Sequence, residues 1–195
     1  MQEKQKKNMQ QKKKKYNIQT STKHKNHKQR STKNKHKMQK PIYIKFQYEI
    51  HNIITVIIPN KQLLFAWIAL IVKKKYKYVL RSKDLFLNIR FVKYKEITTL
   101  NSYYRGLKSL TNILSFSYEA LSPKINRHFL GELVIAPNLI LYESLKTNKS
   151  FIAHFAHILI HGFLHLIGYN HNNVTDADNM ENIEYSILNK IQLHL

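Results

Sequence analysis

A chain of 195 residues with a 43% hydrophobic share can form one domain of ordinary size, with or without a tail. Its 33 Lys and Arg against 11 Asp and Glu give a net charge of +22, a surplus that points to an anionic partner, either nucleic acid or an acidic membrane surface. Cys is absent, which excludes disulfides, a thiol nucleophile and Cys-ligated zinc, and the four Gly form no phosphate-cradling pattern.

In chain order, residues 1–40 come first, with 15 basic residues against a single acid, Glu3, and almost nothing apolar. Such a segment cannot bury enough surface to offset its ordering entropy, so the expectation is a disordered basic tail. It lacks the apolar stretch of a secretory signal; its scarcity of acids leaves a transit peptide as the alternative. The folded domain is expected over 41–195. Residues 42–50 alternate as a strand does. Asn60 can cap a helix running through Leu63–Val72, an apolar run of ten residues. A bilayer needs about twenty, so this is a core helix and not a membrane span. Residues 85–92 read as a strand, 95–105 as a short helix, and 112–118 and 132–136 as short β runs. Helical patterning resumes from Ser150 to Gly168, and a last helix is expected after Thr175, with Asp178 completing a partial capping box. Strands and helices interleave, which argues for α/β or α+β with a small sheet.

The chemistry concentrates between 154 and 171. On a helix, His154, His157, His161 and His165 share one stripe. His161 and His165 are one turn apart, the spacing at which two imidazoles can grip one ion. Gly168 can end the helix in a left-handed cap and let the chain fold back with His171. Three His with an open fourth position make a catalytic zinc site. His157 with His161 is a rival pair at the same spacing, further from the returning loop. His154 and His165 lie about 16 Å apart along a helix and cannot share an ion. Zinc peptidases of the H-E-x-x-H type carry a general-base Glu after the first His, but here that position is Gly162, which disfavours their mechanism.

The run His161-Gly-Phe-Leu-His165-Leu-Ile-Gly-Tyr-Asn-His171 resembles the H-G-x-L-H-L-x-G-Y-D-H signature of the YbeY family, metal-dependent endoribonucleases of rRNA maturation. Leu100-Asn101-Ser-Tyr-Tyr104-Arg105 followed by Thr111-Asn112-Ile-Leu114-Ser115-Phe116 resembles the family's L-N-x-x-Y-R and T-D-V-L-S-F blocks. Leu130-Gly131-Glu132-Leu-Val-Ile135 resembles L-G-D-I-V-I, and Met180 and Glu184 stand where the family has its M-x-x-x-E helix. The resemblance runs from about Ile42 to the C-terminus; residues 1–40 have no counterpart. Two positions depart from the pattern: Asn112 and Asn170 stand where the family has Asp. An amide supports a ligating His less well than a carboxylate, so these exchanges bear on metal affinity.

The resemblance implies an α+β fold with a small mixed sheet and a metal-binding helix like that of zincin-like hydrolases. It implies one zinc ion per chain on His161, His165 and His171, with Arg105 in the same cleft as a catalytic residue. A planar guanidinium suits the charge that builds on phosphoryl oxygens as a phosphodiester is cut. Ser115 reads as a structural hydroxyl. The implied function is single-strand-specific endoribonuclease action in late processing of the 16S rRNA 3′ end and in ribosome quality control. Implied partners are rRNA in the small ribosomal subunit and ribosomal proteins, with no membrane. The implied location is the cytoplasm, or an organelle if residues 1–40 act as a transit peptide. Two other readings stand beside it: a non-catalytic ribosome-assembly factor that holds rRNA, and a metal-dependent hydrolase of another substrate.

Overall fold

The computed structural model describes residues 41–50, 58–75, 84–118 and 129–193; the basic segment 1–40 lies outside them. Four strands form one sheet in the order β1-β2-β4-β3: β1 (Ile42–Tyr48), β2 (Leu85–Phe91), β3 (Ile113–Ser117) and β4 (Phe129–Ile135). β1, β2 and β4 run parallel and β3 is antiparallel to β4. The described residues also form five helices: α1 (Lys61–Lys75), α2 (Tyr94–Arg105), α3 (Pro137–Lys146), α4 (Phe151–Leu166) and α5 (Val174–Lys190). The architecture is α+β with a small mixed sheet, as expected from the interleaved patterns.

β2 shows why the sheet has one inner face. Leu85, Leu87, Ile89 and Phe91 are buried, while Phe86, Asn88 and Arg90 alternate to the other side. The inner face packs on α1 and α4, which supply Leu64, Ile68, Ile71, Phe155, Leu159, Ile160 and Phe163, all fully buried. Removing a ring such as Phe163 from this core costs about 3–5 kcal/mol. A smaller cluster of Val92, Ile97, Leu114, Val134 and Ala136 holds α2 against the opposite face at β3.

The Asn60 cap forms as expected: its Oδ1 accepts the Leu63 N–H at 2.8 Å. The apolar run it opens is buried at Leu64, Trp67, Ile68, Ile71 and Val72, and no helix among the described residues is long and apolar enough to cross a membrane.

Three expectations are corrected. β4 starts at Phe129, three residues before the β run expected at 132–136. The sequence pattern assigned no element between 136 and 150, yet α3 occupies Pro137–Lys146, opened by a proline whose missing N–H costs nothing in the first turn. The last helix is capped by Asn173 and not by Thr175. Asn173 Oδ1 accepts the Asp176 N–H at 2.8 Å, and its own amide donates to the Asp176 carboxylate at 2.7 Å. This reciprocal pair satisfies the first turn two residues earlier than the Thr175–Asp178 pair would.

Candidate metal centre

α4 has two faces. Phe155, Ala156, Leu159, Ile160, Phe163 and Leu164 enter the core, and the His stripe lies opposite. Gly162 lets the helix lie close on the sheet: a Cβ there would come within 2.3 Å of Ile113 Cδ1 and 3.2 Å of Leu133 Cδ2. The residue after the first ligand candidate therefore faces the sheet, where a general-base Glu has no room. Ser115 fastens the same point, donating its hydroxyl hydrogen bond to the Gly162 carbonyl at 2.9 Å. Its role is structural, as its strand position indicated.

α4 ends in a Schellman turn. The Tyr169 N–H reaches the Leu164 carbonyl at 3.0 Å and the Gly168 N–H reaches the His165 carbonyl at 3.1 Å. Gly168 has φ +91°, a conformation that strains any side chain. The turn brings back His171, so that His161, His165 and His171 each offer a ring nitrogen within 4.8 Å of the others. It also aims the Tyr169 carbonyl at His165, whose Nδ1–H donates to it at 2.9 Å.

The outer nitrogen of His161 is held likewise. Its Nδ1–H donates to Glu184 Oε1 at 2.9 Å, and His157 Nε2–H donates to Glu184 Oε2 at 2.8 Å. Carbonyl and carboxylate oxygens only accept, so His161 and His165 both carry their proton on Nδ1. Their Nε2 lone pairs then face each other at 3.1 Å. Two acceptors so close repel unless a cation lies between them. This donor set, three imidazoles with two outer nitrogens braced by oxygen acceptors, fits a transition metal such as zinc.

Burial, and then the charge of His161, hold the His165 imidazole below its ordinary pKa, against the Tyr169 hydrogen bond. His171 and Arg105 push the same way. The neutral ring is the form that can bind metal. For Glu184, burial alone would raise the pKa, but the hydrogen bonds from His157 and His161 outweigh it and hold the carboxyl at about 2. Arg105 sits in the last turn of α2, exposed, before the left-handed Gly106 cap. Its charge is the least of the influences that lower the His165 pKa.

The other two histidines of α4 are engaged elsewhere. His157 is turned to Glu184, and His154 Nε2–H donates to Glu143 Oε2 at 2.8 Å. The Asn112 amide donates to the same Glu143 oxygen at 2.8 Å. Asn112 therefore braces α3, and neither it nor the exposed Asn170 holds an outer nitrogen of His161 or His165. The expected link between these exchanges and ligand support is not found at those two rings.

Sequence reasoning gave Glu184 no role. A readable signal existed: Met180, Ile183, Ile187 and Leu188 make one buried stripe of α5, and Glu184 stands in its middle. A carboxylate on an apolar stripe needs a donor to face it.

Residues 49–192 match the family model described as Endoribonuclease YbeY. The chain is 45% identical over 157 residues to the Endoribonuclease YbeY of Buchnera aphidicola subsp. Acyrthosiphon pisum, covering 80% of this chain and 92% of that protein. It is 45% identical over 108 residues to the Endoribonuclease YbeY of Ruthia magnifica subsp. Calyptogena magnifica, covering 55% of this chain and 74% of the other. Among solved structures, the solution structure of TM1509 from Thermotoga maritima aligns with a TM-score of 0.48 and 22% identity, over 77% of this chain and 91% of that one.

Proposed function

The chain belongs to the YbeY endoribonuclease family, and from that premise we propose that it hydrolyses single-stranded RNA phosphodiesters with one zinc ion held by His161, His165 and His171. The observation that carries this reading is the convergence of the facing Nε2 lone pairs of His161 and His165, 3.1 Å apart, with His171 beside them. A zinc ion held there by His161, His165 and His171 would supply Lewis acidity and would lower the pKa of a water. The protein's own residues do the rest. Glu184 and the Tyr169 carbonyl keep the protons of His161 and His165 on the outer nitrogens and fix their rings. Arg105, at the end of α2, meets the charge that develops on the non-bridging phosphoryl oxygens; its forked donors match two of them at once. It is the catalytic residue of this reading.

The substrate is rRNA of the small subunit, in late processing of the 16S 3′ end and in ribosome quality control, with ribosomal proteins as neighbours. The charge surplus and the match to endoribonucleases support RNA over a peptide. Residues 41–195 are the catalytic domain and 1–40 a basic tail that adds affinity for RNA. The relatives named are bacterial, which supports a cytoplasmic site of action. Single-turnover cleavage of a labelled small-subunit rRNA precursor, with and without chelator, tests the reading. Metal-dependent cleavage is expected; binding without cleavage under both conditions would favour a non-catalytic assembly factor.

A further inference from the structure

The sheet face opposite α1 and α4 carries α2 at β3; over β1 and β2, Tyr43 and Phe86 remain exposed, and Lys61, Gln62 and Phe65 of α1 border the cavity that these two rings line. A row of aromatic rings crosses this face. Tyr43 and Phe86 stand in register on β1 and β2, 48% and 40% exposed, and their rings stack at 4.8 Å with an interplanar angle of 13°. Phe129 on β4 is the register partner of Phe86, and Tyr118, just past β3, meets it edge to face at 5.4 Å. Two residues back, Phe116 takes the ring of Tyr104 at 5.0 Å. Tyr104 is 56% exposed and its neighbour Tyr103 is 80% exposed. Arg105 follows directly. The row thus runs from the edge strand β1 to the residue assigned to phosphoryl charge.

Isolated exposed apolar residues are ordinary, but a stacked exposed pair continued by the half-buried Phe129, Tyr118 and Phe116 to the exposed Tyr104 marks a binding surface. The charges beside them select the partner. Lys45 follows Tyr43 on the same face of β1, and residues 97–111 include Arg105 and Lys108 with no acid. Glu132, the register partner of both Asn88 and Phe116, lies 3.6 Å from Arg90, whose guanidinium also pairs with Glu96 at 2.5 Å and Glu49 at 3.5 Å, so the cationic surplus beside the row comes from Lys45, Arg105 and Lys108. Exposed rings flanked by Lys45, Arg105 and Lys108 suit a nucleic acid single strand, whose bases stack while its phosphates meet the cations. Four strands at a spacing of about 4.8 Å span roughly 14 Å, about the length of four stacked nucleotides.

We infer that this aromatic row is a track on which bases of the single-stranded substrate stack while its backbone is led toward Arg105. The inference rests on the endoribonuclease reading and extends it to substrate form. A duplex cannot use the track, because its bases already stack on one another.

The test measures anisotropy of a short labelled oligouridine on the full-length chain, with chelator so that the strand stays whole. Two double variants are compared, Tyr43→Ala with Phe86→Ala and Tyr43→Leu with Phe86→Leu. Loss of stacking should weaken single-strand binding about five- to a hundred-fold in both, and leave binding of an equally long duplex unchanged. Leucine keeps the apolar bulk, so parental affinity in the leucine pair would overturn the track and point to an apolar protein partner instead. Cleavage by the parental protein, measured separately, distinguishes failure of the track from failure of the nuclease reading; a parental protein that neither binds nor cuts the strand overturns both. Should the alanine pair not fold, iodouridine photocrosslinking of the unaltered chain decides. Adducts at Tyr43, Phe86 or Tyr104 support the track, and adducts confined to other residues overturn it.

Discussion

Glu184 Oε1 accepts the Nδ1–H of His161 at 2.9 Å, while its other oxygen accepts from His157, so one buried carboxylate of α5 braces two imidazoles of α4. The carboxyl is held at about 2, well below its usual 4.5. Because the folded pKa is the depressed one, the stabilisation is complete above about 4.5 and is lost as pH falls toward about 2. The displacement corresponds to roughly 3 kcal/mol in the metal-free protein. Urea unfolding of metal-free samples across this window should show that loss. Glu184→Gln should flatten the pH dependence and weaken metal binding about 10- to 100-fold. An unchanged pH profile in Glu184→Gln would show that the carboxylate is not a stabilising partner.

Zinc content should be about one per chain, with Zn–N distances near 2.0–2.1 Å. His165→Ala should lose most of the metal. Full zinc occupancy in a variant lacking His161, His165 and His171 together would refute the site.

Gly162→Ala should destabilise the fold by about 1–3 kcal/mol, since the added methyl meets Ile113 Cδ1 at 2.3 Å. Metal affinity should fall with it, because α4 must lift from the sheet and carry its ligands along. Calorimetry and zinc titration of the same samples check this. Equal melting temperatures would mean that Ile113 moves aside.

Arg105→Ala should keep the melting temperature and metal content and slow cleavage by on the order of 10²–10³. Arg105→Lys should recover only part of the rate, since the ammonium lacks the fork. Parental single-turnover rates in the alanine variant would remove Arg105 from the chemistry.

Deleting residues 1–40 removes 15 basic residues and none of the motif. RNA binding should weaken and the slope of log K against log salt should flatten, because counterion release scales with the phosphates neutralised. Melting temperature, bound metal and cleavage at saturating RNA should persist. Identical salt slopes for the two forms would mean that the tail does not touch RNA.

Most of the elements and the convergence of His161, His165 and His171 were legible in the sequence because both depend on local spacing. Alternation in 85–91 and the polar stop at Asn60 are properties of a few neighbouring residues, and so is the rise between His161 and His165. The Gly168 break is equally local, since a positive φ needs only the absence of a side chain. α3 escaped because its apolar residues follow no clear helical period, and the cap of α5 escaped because Asn173 and Thr175 are both capping residues two positions apart. What tertiary structure alone decided is who faces whom. Glu184 meets His161 across 23 residues, Ser115 meets Gly162 across 47, and Asn112 turns to Glu143 across 31. Tyr43 comes beside Phe86 because two parallel strands share a register. Such partnerships are set by packing of α4 and α5 and by strand order, and chain spacing carries no information about them.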